Sequence, residues 1–117
     1  LDAGISELCS EINATKQVSI KYENNVDFKN LTKENQLHIF RILQELINNS
    51  IRHGKAKNIS ITFQNNDLIN CNYKDDGVGF DIKSDNVKRG LGINNINSRI
   101  EILHGTIQIH SKKLTRH

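Results

Sequence analysis

The chain of 117 residues contains no proline, no tryptophan and no methionine, and only two cysteines. With no proline, no low-complexity tract and no internal repeat, nothing marks a linker that would divide it. Its length suits one compact domain with a real core and is too short for two. Cys9 and Cys71 form no CxxC pair and no metal-ligand spacing, and each falls on an apolar-patterned face. They read as buried, reduced thiols of a cytosolic protein rather than as a disulfide or a zinc site. No apolar run approaches membrane-spanning length and no signal peptide opens the chain. The chain begins at Leu1 without a methionine, so it is expected to be a fragment of a longer, cytoplasmic protein or of the cytoplasmic part of a membrane-anchored one.

Aromatic residues are also scarce. The core must rest on Ile, Leu and Val, with Phe28, Phe40, Phe63 and Phe80 as its bulky pieces. Sixteen Lys and Arg against thirteen Asp and Glu leave a net charge of +3, but no basic run exceeds two residues and none is interleaved with aromatics. That pattern does not read as a nucleic-acid surface. A mild positive balance does suit a small polyanion such as a nucleotide.

What is present is periodic. Leu1, Ile5, Leu8 and Ile12 repeat at helical spacing and predict an amphipathic helix from about Asp2 to Thr15. Val18, Ile20 and Tyr22 alternate as in a half-buried strand. Thr32 is placed to cap a second helix and Gly54 to end it, with Phe40, Leu43, Ile47 and Ile51 as its buried stripe. Two strands follow, alternating at Ile59, Ile61, Phe63 and at Ile69, Cys71, Tyr73, with Asn65-Asn66-Asp67 as a hairpin turn. After the segments "DDGVGFD" and "RGLG", a helix is predicted from about Ile93 to Leu103, and "TIQIHS" reads as a last strand. This order is that of an α+β protein, a two-layer α/β sandwich with a mixed sheet covered on one face by about three helices.

The second helix carries an unusual set of polar groups. Glu45, Asn49 and His53 follow at intervals of four, and Arg52 lies three past Asn49, so they share a side of the helix roughly opposite the apolar stripe. A solvated face explains one polar residue, but asparagine competes with the helix backbone for hydrogen bonds, and two stand together here. Mg²⁺ gives a chemical reason, because it takes few protein oxygens and fills its shell with water and phosphate. A carboxylate one turn earlier is placed to orient or deprotonate a nucleophile.

Two glycine segments point the same way. Gly77 and Gly79 follow a predicted strand and let the backbone approach a flat ligand. Asp76 beside them can accept a hydrogen bond from an exocyclic amino group. Gly90 and Gly92 stand before a helix, whose free N–H groups favour anions. An ordinary turn and a flexible helix entry are the plain alternatives for each segment taken alone. Neither segment matches a P-loop or a dinucleotide-binding fingerprint.

In this order the three segments resemble the ATP-binding catalytic domain of sensor histidine kinases, a member of the class shared with DNA gyrase, Hsp90 and MutL. "QELINNSIRHGKA" resembles the N-box, "DDGVGF" the G1 box, and "GLGINNINSRIEILHG" the G2 box with its helix. The ends of the N-box are similar to the nitrate-sensor-like branch. The resemblance covers about residues 31–111 and implies the Bergerat (GHKL) fold, with ATP and Mg²⁺ as ligands. It implies that Asn49 holds the metal and that Glu45 is the general base or orients the nucleophile. It implies that Asp76 binds adenine, that Gly77 and Gly79 shape the base pocket, and that Gly90, Leu91 and Gly92 flank the phosphates. Arg52 and His53 become phosphate or lid contacts. Asn48 is expected to bond locally, and His38, His104, His110 and His117 to have no catalytic part.

The implied reaction passes the γ-phosphoryl group of ATP to a histidine on a separate dimerisation domain, then to a response regulator's aspartate. That dimerisation domain is absent from this sequence and is expected before Leu1. The family normally adds a strand after a Gly-Thr turn, whereas this chain ends "KKLTRH", so the sheet is expected to lack its last strand. Neither nucleic acid nor membrane is expected as a partner of this domain. A degenerate nucleotide-binding module and an anti-sigma-type serine kinase of the same fold are the alternative functions.

Overall fold

The computed structural model describes residues 1–65, 68–77, 103 and 107–113. Helix α1 spans Asp2–Asn13, strand β1 Ser19–Asn24, and a 3-10 turn Phe28–Asn30 leads to helix α2, Lys33–Arg52. Strands β2 (Asn58–Asn65), β3 (Ile69–Asp75) and β4 (Ile107–Lys113) follow. The sheet order is β1-β2-β3-β4. β1 lies parallel to β2, β2 antiparallel to β3, and β3 parallel to β4. The expected mixed sheet and hairpin are therefore borne out. The helix expected over Ile93–Leu103 lies outside the described residues apart from Leu103, which is fully buried. Strand β4 runs on to Lys113, beyond the expected end at Ser111.

One face of the sheet is apolar. Ile20, Ile59, Ile61, Phe63, Cys71 and Tyr73 alternate inward and meet Ile5 and Cys9 of α1 and Ile39, Ile42, Leu43 and Ile47 of α2. Phe63 anchors this core edge-on against Phe28, with ring centroids 5.0 Å apart. The opposite positions, Lys21, Glu23, Ser60, Thr62, Asn72 and Lys74, are exposed or half-buried, as expected of a sheet covered on one side.

The caps explain where the helices stop. The Thr32 hydroxyl accepts the Asn35 N–H at 3.0 Å and satisfies one of the free donors of the first turn of α2. At the other end the Asn49 carbonyl accepts from both His53 N–H and Gly54 N–H, each at 3.0 Å. The left-handed residue that turns the chain away is Lys55 (φ 55°), not Gly54. A β-carbon at Gly54 would lie 3.0 Å from the Ser50 carbonyl oxygen, a tight contact. The end of α1 is pinned to the edge strand by Asn13, whose side chain accepts Ile20 N–H at 2.6 Å and donates to Ile20 O at 3.1 Å.

Candidate nucleotide site at the end of helix α2

The last turns of α2 lie against the end of β3 along a seam joined by hydrogen bonds of Ser50 and Leu46 with Tyr73 and Asp75. The polar set on α2, expected on one side opposite the apolar stripe, differs in burial from member to member. Asn49 is buried (5% exposed) and so is Ser50 (4%), Glu45 is half-buried, and Asn48, Arg52 and His53 are exposed. The apolar stripe is correspondingly rotated. Ile39 and Ile42 are fully buried beside Leu43 and Ile47, while Phe40 and Ile51 sit at its margin.

Glu45 has one oxygen, Oε2, buried with no hydrogen-bond partner among the described residues. A buried acceptor left unpaired is costly, and such atoms in a native fold call for an explanation. Glu45 and Asn48 border a groove of about 450 Å³ between α1 and α2, walled by Leu8, Ile12, Ile47 and Ile51. A larger, open hollow of about 680 Å³ by Asn24–Lys29 shares none of these residues and has no such orphaned atom.

The two adjacent aspartates point to different places. Asp76 is fastened to the start of β2, where its Oδ1 accepts Lys57 N–H at 2.8 Å and Asn58 N–H at 2.9 Å and its Oδ2 accepts the Asn58 amide at 2.7 Å. The hydrogen bond from the Asn58 side chain, then those from the backbone, hold its carboxyl below the ordinary carboxylate value. The carboxylate expected to accept from the base is thus bonded to the start of β2 through both of its oxygens. Asp75 faces α2 instead. Its Oδ2 accepts the Ser50 hydroxyl at 2.8 Å and its Oδ1 accepts Gly77 N–H at 2.8 Å.

Ser50 and Tyr73 complete the seam. Their hydroxyl oxygens are 2.6 Å apart, and Tyr73 Oη is 3.1 Å from the Leu46 carbonyl oxygen. Burial pushes the Tyr73 phenol well above its ordinary value, the Ser50 hydrogen bond opposes this, and the Asp75 charge adds to it. Gly77 is buried, whereas Gly79, Gly90, Leu91 and Gly92 lie outside the described residues. Sequence reasoning missed Asp75, Ser50 and Tyr73. Strand phase was the available signal, since the alternation Ile69, Cys71, Tyr73 continues to Asp75 and not to Asp76.

The profile of the histidine kinase-, DNA gyrase B- and HSP90-like ATPases matches residues 34–116. The chain belongs to that family. It is 28% identical over 120 residues to the sensor histidine kinase ComP of Bacillus subtilis, covering 96% of this chain and 15% of ComP. It is 26% identical over 113 residues to the oxygen sensor histidine kinase NreB of Staphylococcus carnosus, covering 96% and 33%. The sensor protein VraS of Staphylococcus saprophyticus is 30% identical over 112 residues, covering 95% and 31%. The chain thus spans a third or less of each of these relatives. The resemblance read from the three boxes, to the ATP-binding domain of sensor histidine kinases, is borne out. Among the described residues, no helix is long and apolar enough to cross a membrane.

Proposed function

We propose that this chain is the catalytic domain of a sensor histidine kinase and presents ATP to a phosphoacceptor histidine carried on a dimerisation domain of the same full-length protein. A response regulator's aspartate receives the group next. In this reading the domain works in the cytoplasm. The observation that carries the reading is the seam itself. A half-buried carboxylate with an orphaned oxygen stands one turn before a buried asparagine, and the end of β3 brings a second carboxylate and a glycine against the same helix.

Each residue then has a defined task. Asp75, rather than Asp76, accepts from the exocyclic amino group of adenine, because a carboxylate offers only acceptors. Gly77 lets the loop backbone lie close beneath the base. Arg52 and His53 are exposed at the end of α2 and in this reading contact phosphate oxygens. Gly90, Leu91 and Gly92 flank the phosphates, and Gly79 shapes the pocket with Gly77. Glu45 holds the incoming imidazole in line and accepts its proton as the N–P bond forms and the bond from the γ-phosphorus to the β,γ-bridging oxygen breaks, releasing ADP.

The donor set also fits Mg²⁺. The Asn49 amide offers a hard oxygen ligand, and the orphaned Oε2 of Glu45 one turn earlier is the kind of atom a water of the ion's shell would satisfy. Among the described residues no group of three His, Cys, Asp or Glu could hold a metal, so few protein ligands would serve. Asn49 would hold the ion, and its chemistry is to neutralise charge on the phosphate oxygens. The test is titration of a fluorescent ATP analogue with and without Mg²⁺. The unmodified protein should bind more tightly with Mg²⁺, and Asn49→Ala should lose that increment. Asn49 is buried, so a thermal melt of the variant accompanies the titration. An unchanged Mg²⁺ effect in a folded variant would remove Asn49 from the metal site.

A further inference from the structure

Ser50 and Tyr73 form a polar pair inside an otherwise aliphatic layer. Tyr73 is 1% exposed and Ser50 4%, and around them lie isoleucines, leucines and Phe63. Helix formation does not ask for serine at position 50, and strand packing would accept an aliphatic residue at 73. A buried hydroxyl needs a partner, and these two meet each other across 23 residues of sequence.

Each hydroxyl has one proton to give. Ser50 has two neighbours able to accept it, Asp75 Oδ2 at 2.8 Å and Tyr73 Oη at 2.6 Å. The charged acceptor draws the proton, since hydrogen bonds to ionised groups are the stronger ones. Ser50 Oγ is then left as an acceptor, and the shorter contact to Tyr73 selects Tyr73 O–H as its donor over the 3.1 Å contact to Leu46 O. The result is a directed chain from Tyr73 O–H to Ser50 Oγ and from Ser50 O–H to Asp75 Oδ2. Gly77 N–H fixes the other oxygen of the same carboxylate. Asp75 is therefore held at both oxygens, from the helix side and from the loop side, and cannot turn about its Cβ–Cγ bond without breaking one of the two.

We propose that Ser50 and Tyr73 are positioning residues that determine base specificity. By fixing the Asp75 carboxylate in one orientation they set the preference for a purine with an amino group over one with a carbonyl oxygen at the same edge. The proposal rests on the reading of Asp75 as the adenine acceptor. A fixed acceptor discriminates more sharply than a rotating one, because a mismatched base cannot be met by reorienting the carboxylate.

Calorimetric titration with ATP and with inosine triphosphate, which carries a carbonyl oxygen in place of the amino group, tests it. The variants are Ser50→Ala, Tyr73→Phe, the double variant and Asp75→Ala, each checked by thermal melt. The unmodified protein should prefer ATP, and Asp75→Ala should abolish the preference. Ser50→Ala should narrow the ATP-to-inosine-triphosphate ratio by about tenfold, the loss of one hydrogen bond to a charged group. Tyr73→Phe should narrow it by about threefold, and adding it to Ser50→Ala should change nothing more, as expected of links in one chain. The double variant should stay folded, because both hydroxyls leave together. If Ser50→Ala does not fold, Tyr73→Phe carries the test.

A ratio lost in Asp75→Ala but unchanged in folded Tyr73→Phe and Ser50→Ala overturns the positioning role and leaves Asp75 as reader. A folded Asp75→Ala that keeps the preference, or an unmodified protein without one, overturns the Asp75 reading and this proposal with it. Variants that lose stability but keep the full ratio assign the pair to packing alone, which also overturns it.

Discussion

Gly77 packs directly on Gly54, so closely that a β-carbon on Gly77 would lie 2.6 Å from the Gly54 carbonyl oxygen and 3.0 Å from its carbonyl carbon. The first glycine after β3 is therefore demanded by the end of α2 as well as by any ligand. Backbone atoms cannot step aside as a flexible side chain would. Gly77→Ala should force the loop away from α2, disturb the Gly77 N–H bond to Asp75, and destabilise the fold by about 1–3 kcal/mol, the usual range for overpacking. ATP affinity should fall in the same variant. Urea melts and nucleotide titration check both, and an alanine variant with unchanged stability would show that the contact relaxes freely.

Asp76 should matter for stability and not for base choice. Its carboxylate takes three hydrogen bonds at the start of β2, yet it sits at the surface, where solvent weakens each. Asp76→Ala should cost about 1 kcal/mol at pH 7 and leave the ATP preference intact. The sign of the pH dependence follows from the lowered folded-state value. Stabilisation is fully present above the unfolded value near 3.8 and is lost as pH falls through the lower folded value. The stability gap between the unmodified protein and Asp76→Ala should accordingly be constant near neutrality and shrink below about pH 4. A gap that widens on acidification would contradict the assigned contacts.

The boundaries of the fold were legible in the sequence because local chemistry sets them. Thr32 caps α2, the apolar alternation marks each strand, and the short polar link between β2 and β3 makes their antiparallel pairing the natural result. The inner surface of the site was less legible for a physical reason. Polarity alone assigns Asn49 and Ser50 to the outside, although Ser50 stands three residues past Ile47 and seven past Leu43, in phase with the buried stripe. Ser50 is buried because its partners, Tyr73 and Asp75, arrive from 23 and 25 residues away on another element. A polar residue whose partner is distant looks the same in sequence as one that faces water. Which of Asp75 and Asp76 faces α2 was different, since strand phase carried that answer and composition hid it.

The two thiols should be inert in the folded chain. Burial pushes Cys71 up to about 12 and raises Cys9 as well. Both are among the most enclosed side chains of the core, at 0% and 4% exposure. The thiolate is the reactive form, so neither cysteine presents an appreciable amount of it at pH 8. A disulfide-exchange reagent should therefore release almost no chromophore from the native protein and about two equivalents after urea unfolding. Immediate reaction of one equivalent under native conditions would show that its side of the core opens.

What the isolated chain does with ATP depends on where a nucleophile can stand. Transfer requires a group in line with the γ-phosphorus, and Glu45 can orient such a group but not replace it. Of the described histidines, His110 stands on β4, and His38 lies about two turns before Glu45 on α2 beside Glu34, with its Nε2 3.9 Å from that carboxylate. His53 is exposed at the helix end, where a phosphate contact is its natural role. The isolated chain should thus bind ATP, label itself negligibly and hydrolyse ATP slowly. Adding the cognate dimerisation domain in trans should produce a phosphorylated histidine on that domain. Glu45→Ala should lower this transfer about 10²-fold or more, as loss of a general base does, with little change in ATP affinity. Radiolabelled γ-phosphate transfer reads the result, and phosphohistidine is recognised because it survives base and is lost in acid. Acid-stable label on a serine of a partner protein would move the chain to the anti-sigma type of kinase. Intact ATP binding with no transfer to the cognate domain would make it a nucleotide-binding module.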